Sequence, residues 1–432
     1  MKDIQPRSRA LELIDFIDES PSPWHAVANA EKRLLANGYS RLLEGERWRL
    51  ESGGRYYVVR GASLVAFVLG SAQLVEQGLR IVGAHTDSPG LRLKPRPVLA
   101  GDGLMRLAVE VYGGPILATF ADRDLGLAGR VVLRSGSKQE TRLVRFDQPL
   151  LRLPNLAIHM NREVNEKGLK FNKQTELALT LGLLKEGEDA EVRFRKLLSD
   201  AAGADAADIL SFDLVAFDMQ KGCLWGAEEE FIADSQLDNL ASTHAALSAL
   251  IDTEEPKATC MVALFDHEEV GSESATGAGG SFIVDMFSRI VFHAGLDDED
   301  KRRAISQSFF ISADMAHAYN PNFPASYEPG HKVMVNGGPV IKTNVNQRYA
   351  SDAESAARFM RCCEIASVPY QQYAHRSDLG CGSTIGPTVA AQLGISSVDV
   401  GSAMWAMHSA RESAGVQDHT HMIAALTAAF SS

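Results

Sequence analysis

The run Leu79–Ala84 (LRIVGA) is apolar on both faces and leads straight into His85. A segment without a polar face must be covered from both sides, as the central strand of an α/β sheet is. Ala258–Phe265 and Phe309–Ala313 are further apolar strand-like runs, ending in Asp266 and Asp314, and Ser396–Val400 is another strand. Tyr56–Arg60 and Ser63–Leu69 read as β. Helical patterns precede and separate them. Leu11, Ile14 and Ile17 recur at helical spacing. Ser22 caps a second helix with Pro23 at its first position and Gly38 as its stop. Asp238–Ile251 and Ser351–Ala366 are helical as well.

Near Lys94–Pro97 the texture changes. From Lys94 to about Glu230 the chain is rich in Val, Leu, Arg and Gly, with alternating stretches such as LMRLAVEVYGG and GRVVLRSG. These predict antiparallel strands joined by glycine turns, with one helix over Ala190–Ala202. The expected organisation is an α/β catalytic domain of residues 1–93 and 235–432, interrupted by a β-rich insert of residues 94–234. No fixed-period repeat or low-complexity stretch interrupts this pattern.

Composition narrows the function. With 43 Lys+Arg against 55 Asp+Glu, the 432-residue chain carries a formal net charge of −12. That argues against nucleic-acid binding, which needs a basic footprint, and against a polybasic membrane patch. Apolar runs such as Leu64–Leu69 and Met261–Phe265 are far shorter than the roughly 20 residues of a membrane span. The opening MKDIQPRSRALELIDFIDES has acids where a signal peptide has its apolar region. The five cysteines include no CxxC pair, which predicts reduced thiols in a cytoplasmic protein.

The chain has no P-loop, no GxSxG elbow and no HExxH helix, and GAGGS does not follow a strand in the manner of a dinucleotide site. Five polar clusters stand at element ends instead: VGAHTDSPG, ADSQLDNLAS, LFDHEEVGSES, FFISADMAHAYNPN and MWAMHSARES. Each has a bland explanation alone. His85 and Asp87 fit a structural pair, Asp238 fits a helix N-cap, and Asp266, Glu268 and Glu269 fit a solvated loop. Together, His85, Asp238, Glu269, Asp314 and His408 form two imidazoles and three carboxylates at the ends of core elements. Such a set suits two zinc ions, with cobalt or manganese as substitutes, and one carboxylate can bridge the pair. Glu268 would remain free as general base.

These residues, with LRLPNLAIHMNREVN, GPVIKTNVNQRYA and CGSTIGP, occur in an order that resembles the aspartyl aminopeptidases, a family of dinuclear zinc exopeptidases. The resemblance runs over essentially the whole chain. It implies a three-layer α/β/α catalytic domain with an inserted β-rich dimerisation domain, and dimers assembled into a tetrahedral dodecamer. It implies that His85 and Asp314 hold one zinc, that Glu269 and His408 hold the other, and that Asp238 bridges them. Asp87 would orient His85, and Glu268 would act as base on the water between the ions. His159 matches a histidine that reaches a neighbouring subunit's site, though a satisfied polar strand residue is the alternative. Lys342 matches a residue that reads an acidic substrate side chain, with a surface lysine as the alternative. His317 matches another site residue. Ser383 and Thr384 would line the pocket, or else form a turn before Pro387. Asn320 stands where several members carry a second histidine, a departure that touches the pocket and not the metal set.

The implied activity is removal of N-terminal residues, Asp or Glu preferred, from peptides with a free N-terminus. A broad-specificity aminopeptidase or deacylase without acidic preference is the alternative. A self-assembling scaffold with a vestigial site is disfavoured, because every ligand position is filled.

Overall fold

The computed structural model describes residues 5–431. Residues 1–4, where the stretch read for a signal peptide begins, lie outside the described residues. Four parallel strands, Thr259–Phe265, Leu79–His85, Phe309–Ala313 and Ser396–Gly401, lie side by side in the middle of a nine-stranded mixed sheet. Antiparallel strands Ser63–Val68 and Arg55–Arg60, and then the short parallel strand Ser40–Arg41, extend it on one side. Val340–Thr343 and Gln371–Ala374 extend it on the other.

Side chains alternate across a strand, so each strand serves two cores. Val82, Ala84, Cys260, Val262 and Leu264 pack into a layer of helices that includes Pro6–Asp18, Leu237–Asp252, Ala353–Ala366 and Val416–Ser431. Ile81, Met261, Ala263 and Phe265 face the opposite layer, which includes Phe282–His293 and Ile385–Leu393. All seven residues of Leu79–His85 are buried, as a strand without a polar face requires. The result is an α/β/α sandwich. Among the described residues, no helix is long and apolar enough to cross a membrane.

A second sheet has six strands, all paired antiparallel and drawn from Gly90–Asp218. It has its own core of Leu91, Leu107, Leu127, Val131, Phe194 and Leu198. The covering helix is Ala190–Ala202. Its N-cap Asp189 accepts the amides of Glu191 and Val192, and Gly203 ends it with φ +59°. Cys223–Trp225 and Phe231–Asp234, which the sequence groups with the insert, pair elsewhere. They join Ala316–His317, Ala403–Trp405 and Glu412–Gly415 in a third sheet of five strands. Runs of three or four residues carry no period that would reveal this pairing.

Candidate metal centre

The four central strands end on one edge of the sheet, where open α/β sheets place ligands. His85 is the last residue of its strand. Its Nδ1–H donates to the Asp87 carbonyl oxygen at 2.9 Å. A carbonyl can only accept, so this bond puts a proton on Nδ1, and in the neutral ring Nε2 is then the nitrogen with the lone pair. Nε2 lies 3.5 Å from Asp238 Oδ1 and 3.6 Å from Asp314 Oδ1. His408 repeats the arrangement from the turn before Glu412–Gly415, with φ +68°. Its Nδ1–H donates to the Gly114 carbonyl at 3.1 Å. Its Nε2 lies 3.4 Å from Asp238 Oδ2 and 3.3 Å from Glu269 Oε1.

Asp238 therefore turns one oxygen toward each histidine. The sequence offered an N-cap as its bland explanation, but Gln236 holds that position, and Asp238 points its carboxylate at the two histidines instead. Its buried Oδ1 has no hydrogen-bond partner. Potential ligand atoms lie within 4.8 Å of one another in His85–Asp238–Asp314, in Asp238–Glu269–His408 and in His85–Glu268–Glu269. Asp314 reaches this edge because Gly401 lacks a side chain: a Cβ there would collide with the Asp314 carbonyl.

Electrostatics favour a cation. Burial, reinforced by Asp314 and Glu269 against the opposing His85, pushes Glu268 well above the ordinary carboxylate range. Burial also raises Glu269 to about 7. Burial opposes charge on His408, yet Asp238 and Glu269 raise it to about 11. The cluster thus draws in protons, and divalent cations would supply that positive charge instead. An orphaned carboxylate oxygen, two oriented imidazoles and oxygen-rich partners fit zinc.

Two supporting residues were not singled out from the sequence. Tyr112, at the end of a second-sheet strand, donates its hydroxyl to Asp87 Oδ2 at 2.7 Å. Asp87 also accepts the amides of Glu268 at 3.1 Å and Glu269 at 3.2 Å. Burial would raise this carboxyl, but the nearby His85, the Tyr112 hydroxyl and the Glu269 amide hold it below its usual range. Asp87 thus fixes the turn that carries both glutamates as well as facing His85. Glu412 is buried and accepts the amides of Asp238 and His408. It stands in MHSARES, but a lone glutamate gives no sequence signal of burial. Asp266 stays apart from the ligand groups and accepts the His267 amide.

A cleft of about 630 Å³ opens over the cluster, and Lys342, His317, Ser383 and Thr384 line it. Lys342 is no surface lysine: it is 2% exposed, and its Nζ donates to the carbonyls of Asp314 at 3.2 Å and Met315 at 3.1 Å. His317 is lowered to about 4 by burial and by the charge of Lys342. Thr384 caps helix Ile385–Leu393 through the Gly386 amide, and its hydroxyl donates to Asp399 at 2.5 Å. Ser383 donates to the Arg348 carbonyl. Both therefore line the cleft and shape the turn. His159 is exposed and is not among the residues lining this cleft.

The family model described as "Aminopeptidase I zinc metalloprotease (M18)" matches residues 16–430. A probable M18 family aminopeptidase 2 of Stutzerimonas stutzeri is 47% identical over 425 residues, 97% of each chain. Among solved structures, Ape4 in its complex with Nbr1 is similar with a TM-score of 0.94 at 36% identity, covering 99% of this chain and 86% of that one. The S. cerevisiae mApe1 dodecamer is similar with a TM-score of 0.84 at 28% identity, covering 97% of this chain and 95% of that one.

Proposed function

The chain belongs to the M18 family of zinc metalloproteases and is an aminopeptidase, and from this premise we propose that it removes N-terminal Asp or Glu from peptides at a centre for two zinc ions. The observation that carries the two-ion reading is Asp238, whose Oδ1 and Oδ2 face His85 and His408 separately. His85 and Asp314 would hold one ion, Glu269 and His408 the other, and Asp238 both. Cobalt or manganese could substitute, since carboxylates and imidazoles accept them. Bound zinc supplies Lewis-acid chemistry, polarising a carbonyl and lowering the pKa of a water.

The protein's own groups do the rest. Glu268, whose Oε2 lies 4.0 Å from His85 Nε2, takes the proton of the attacking water and returns it to the leaving amine. Asp87 keeps Glu268 and Glu269 in register through their amides. Lys342 supplies positive charge at the cleft for an acidic first side chain, with His317 beside it. Ser383 and Thr384 shape the wall.

We further assign the second sheet to a dimerisation insert and the active form to a homo-oligomer, a tetrahedral dodecamer of dimers. Support comes from the dodecameric relative and from Leu156, Ile158 and Met160, which leave 48–76% of their surface exposed around His159. In that assembly His159 would serve a neighbouring subunit's cleft. The five cysteines, which include no CxxC pair, suit a cytoplasmic enzyme.

One observation favours a second reading. Two of the Lys342 donors are already engaged by main-chain carbonyls, which fits an aminopeptidase of broad specificity. Hydrolysis of Glu-, Asp-, Leu- and Lys-initiated peptides separates the two. Metal-loaded protein should prefer the acidic peptides, and the Glu268→Gln variant should lose about 10²–10⁴ in kcat while retaining its zinc. Equal rates on Leu peptides would establish the broad reading. Undiminished turnover by Glu268→Gln would remove that residue from the mechanism.

A further inference from the structure

We propose that Glu412 is a positioning residue that sets the second half of the metal centre by clamping the main chain of two ligands with one carboxylate. Oε2 accepts the Asp238 amide at 3.0 Å, and Oε1 accepts the His408 amide at 2.6 Å. Glu412 is 2% exposed, so water does not compete for either bond.

The two clamped residues come from distant parts of the chain. Asp238 lies where helix Leu237–Asp252 begins, at a position with ψ 104° that the helix does not hold by its own bonding pattern. His408 lies in a turn with φ +68°, a region that a side-chain-bearing residue rarely adopts. Neither backbone position is fixed by regular secondary structure. A single carboxylate holding both amides fixes the distance between them, and with it the 3.4 Å approach of His408 Nε2 to Asp238 Oδ2.

The clamp is selective. The His85 ring is oriented by the Asp87 carbonyl, and Asp314 N–H is held by the Val400 carbonyl. Glu412 makes no bond to either residue. Loss of the clamp should therefore loosen the Asp238–Glu269–His408 group more than the His85–Asp238–Asp314 group. Glutamine cannot replace it, because its amide NH2 would meet one of the two N–H donors. Aspartate keeps the charge but is one methylene shorter, too short to reach both.

This inference rests on the two-ion reading, and the test separates the two. Zinc stoichiometry and affinity are measured by competition with a chromogenic chelator, for the wild type, Glu412→Gln, Glu412→Asp and Asp418→Asn. Asp418 is the matched control: a buried carboxylate that accepts the amides of Asn336 at 2.6 Å and Gly338 at 2.8 Å, away from the metal centre. Substituting groups that orient metal ligands typically weakens binding about 10- to 100-fold. The expected result is two ions in the wild type and in Asp418→Asn. In both Glu412 variants one tight ion should remain, with the second weakened by that factor. If both ions bind Glu412→Gln with wild-type affinity, the clamp is overturned. Loss in Glu412→Gln with full retention in Glu412→Asp would assign the effect to charge and also overturn it. An equal loss in Asp418→Asn would reduce it to general loosening of the fold. A wild type that binds one ion only would remove the two-ion reading itself.

Discussion

Replacing Lys342 by Met tests how the cleft selects its substrate. The Nζ group is buried, 3.7 Å from Asp314 Oδ2 and 5.0 Å from the centre of the Tyr349 ring. A substrate carboxylate about 5 Å away, at an effective dielectric near 20, would gain about 3 kcal/mol from the ammonium. At about 1.4 kcal/mol per tenfold, that is a factor of about 100 in preference over a neutral side chain. Asp399, the cross-strand partner of Lys342, opposes part of this field. A loss of at least about tenfold in the Glu-over-Leu ratio is therefore expected. The substitution also removes the donor from the Asp314 and Met315 carbonyls, which costs stability and disturbs a ligand. The ratio of kcat/KM for Glu- and Leu-initiated peptides is immune to that side effect, because both substrates sample the same population of intact sites. A ratio unchanged within about twofold would refute the electrostatic argument and leave Lys342 as a support for Asp314.

Tyr112→Phe removes a hydrogen bond to a fully buried carboxylate. The expected cost is about 1.5–3 kcal/mol, read as a lower melting temperature of chelator-treated protein, and an unchanged melting temperature would dismiss the role given to Tyr112. Burial, helped by the charge of Arg145, lowers His25 to about 4. Its folded pKa lies below the unfolded value, so its contribution to stability is complete above about pH 6.5 and is lost as pH falls toward 4. Between those values the wild type should lose more melting temperature than His25→Gln does, and parallel curves for the two proteins would contradict the assignment.

Residue order alone disclosed the parts of this protein whose signals are local. LRIVGA had to be a central strand because both of its faces are apolar, and all seven residues of Leu79–His85 are buried. Ser22 with Pro23 marked a helix start, and the Ser22 side chain does accept the His25 amide. His85, Asp238, Glu268, Glu269, Asp314 and His408 stood out because polar clusters ended apolar elements, and the fold brings them to one edge of one sheet. Only the tertiary structure decided which groups fix those residues in place. Tyr112 arrives from a separate sheet, and Glu412 bonds to an amide 174 positions away. The Lys342 ammonium is buried against carbonyls by packing that its strand sequence does not encode. Hydrophobic period and capping act between neighbours in the chain, so they can be read from it. A buried hydrogen bond between distant segments depends on how whole layers pack, and a single tyrosine or glutamate carries no mark of the partner it will meet.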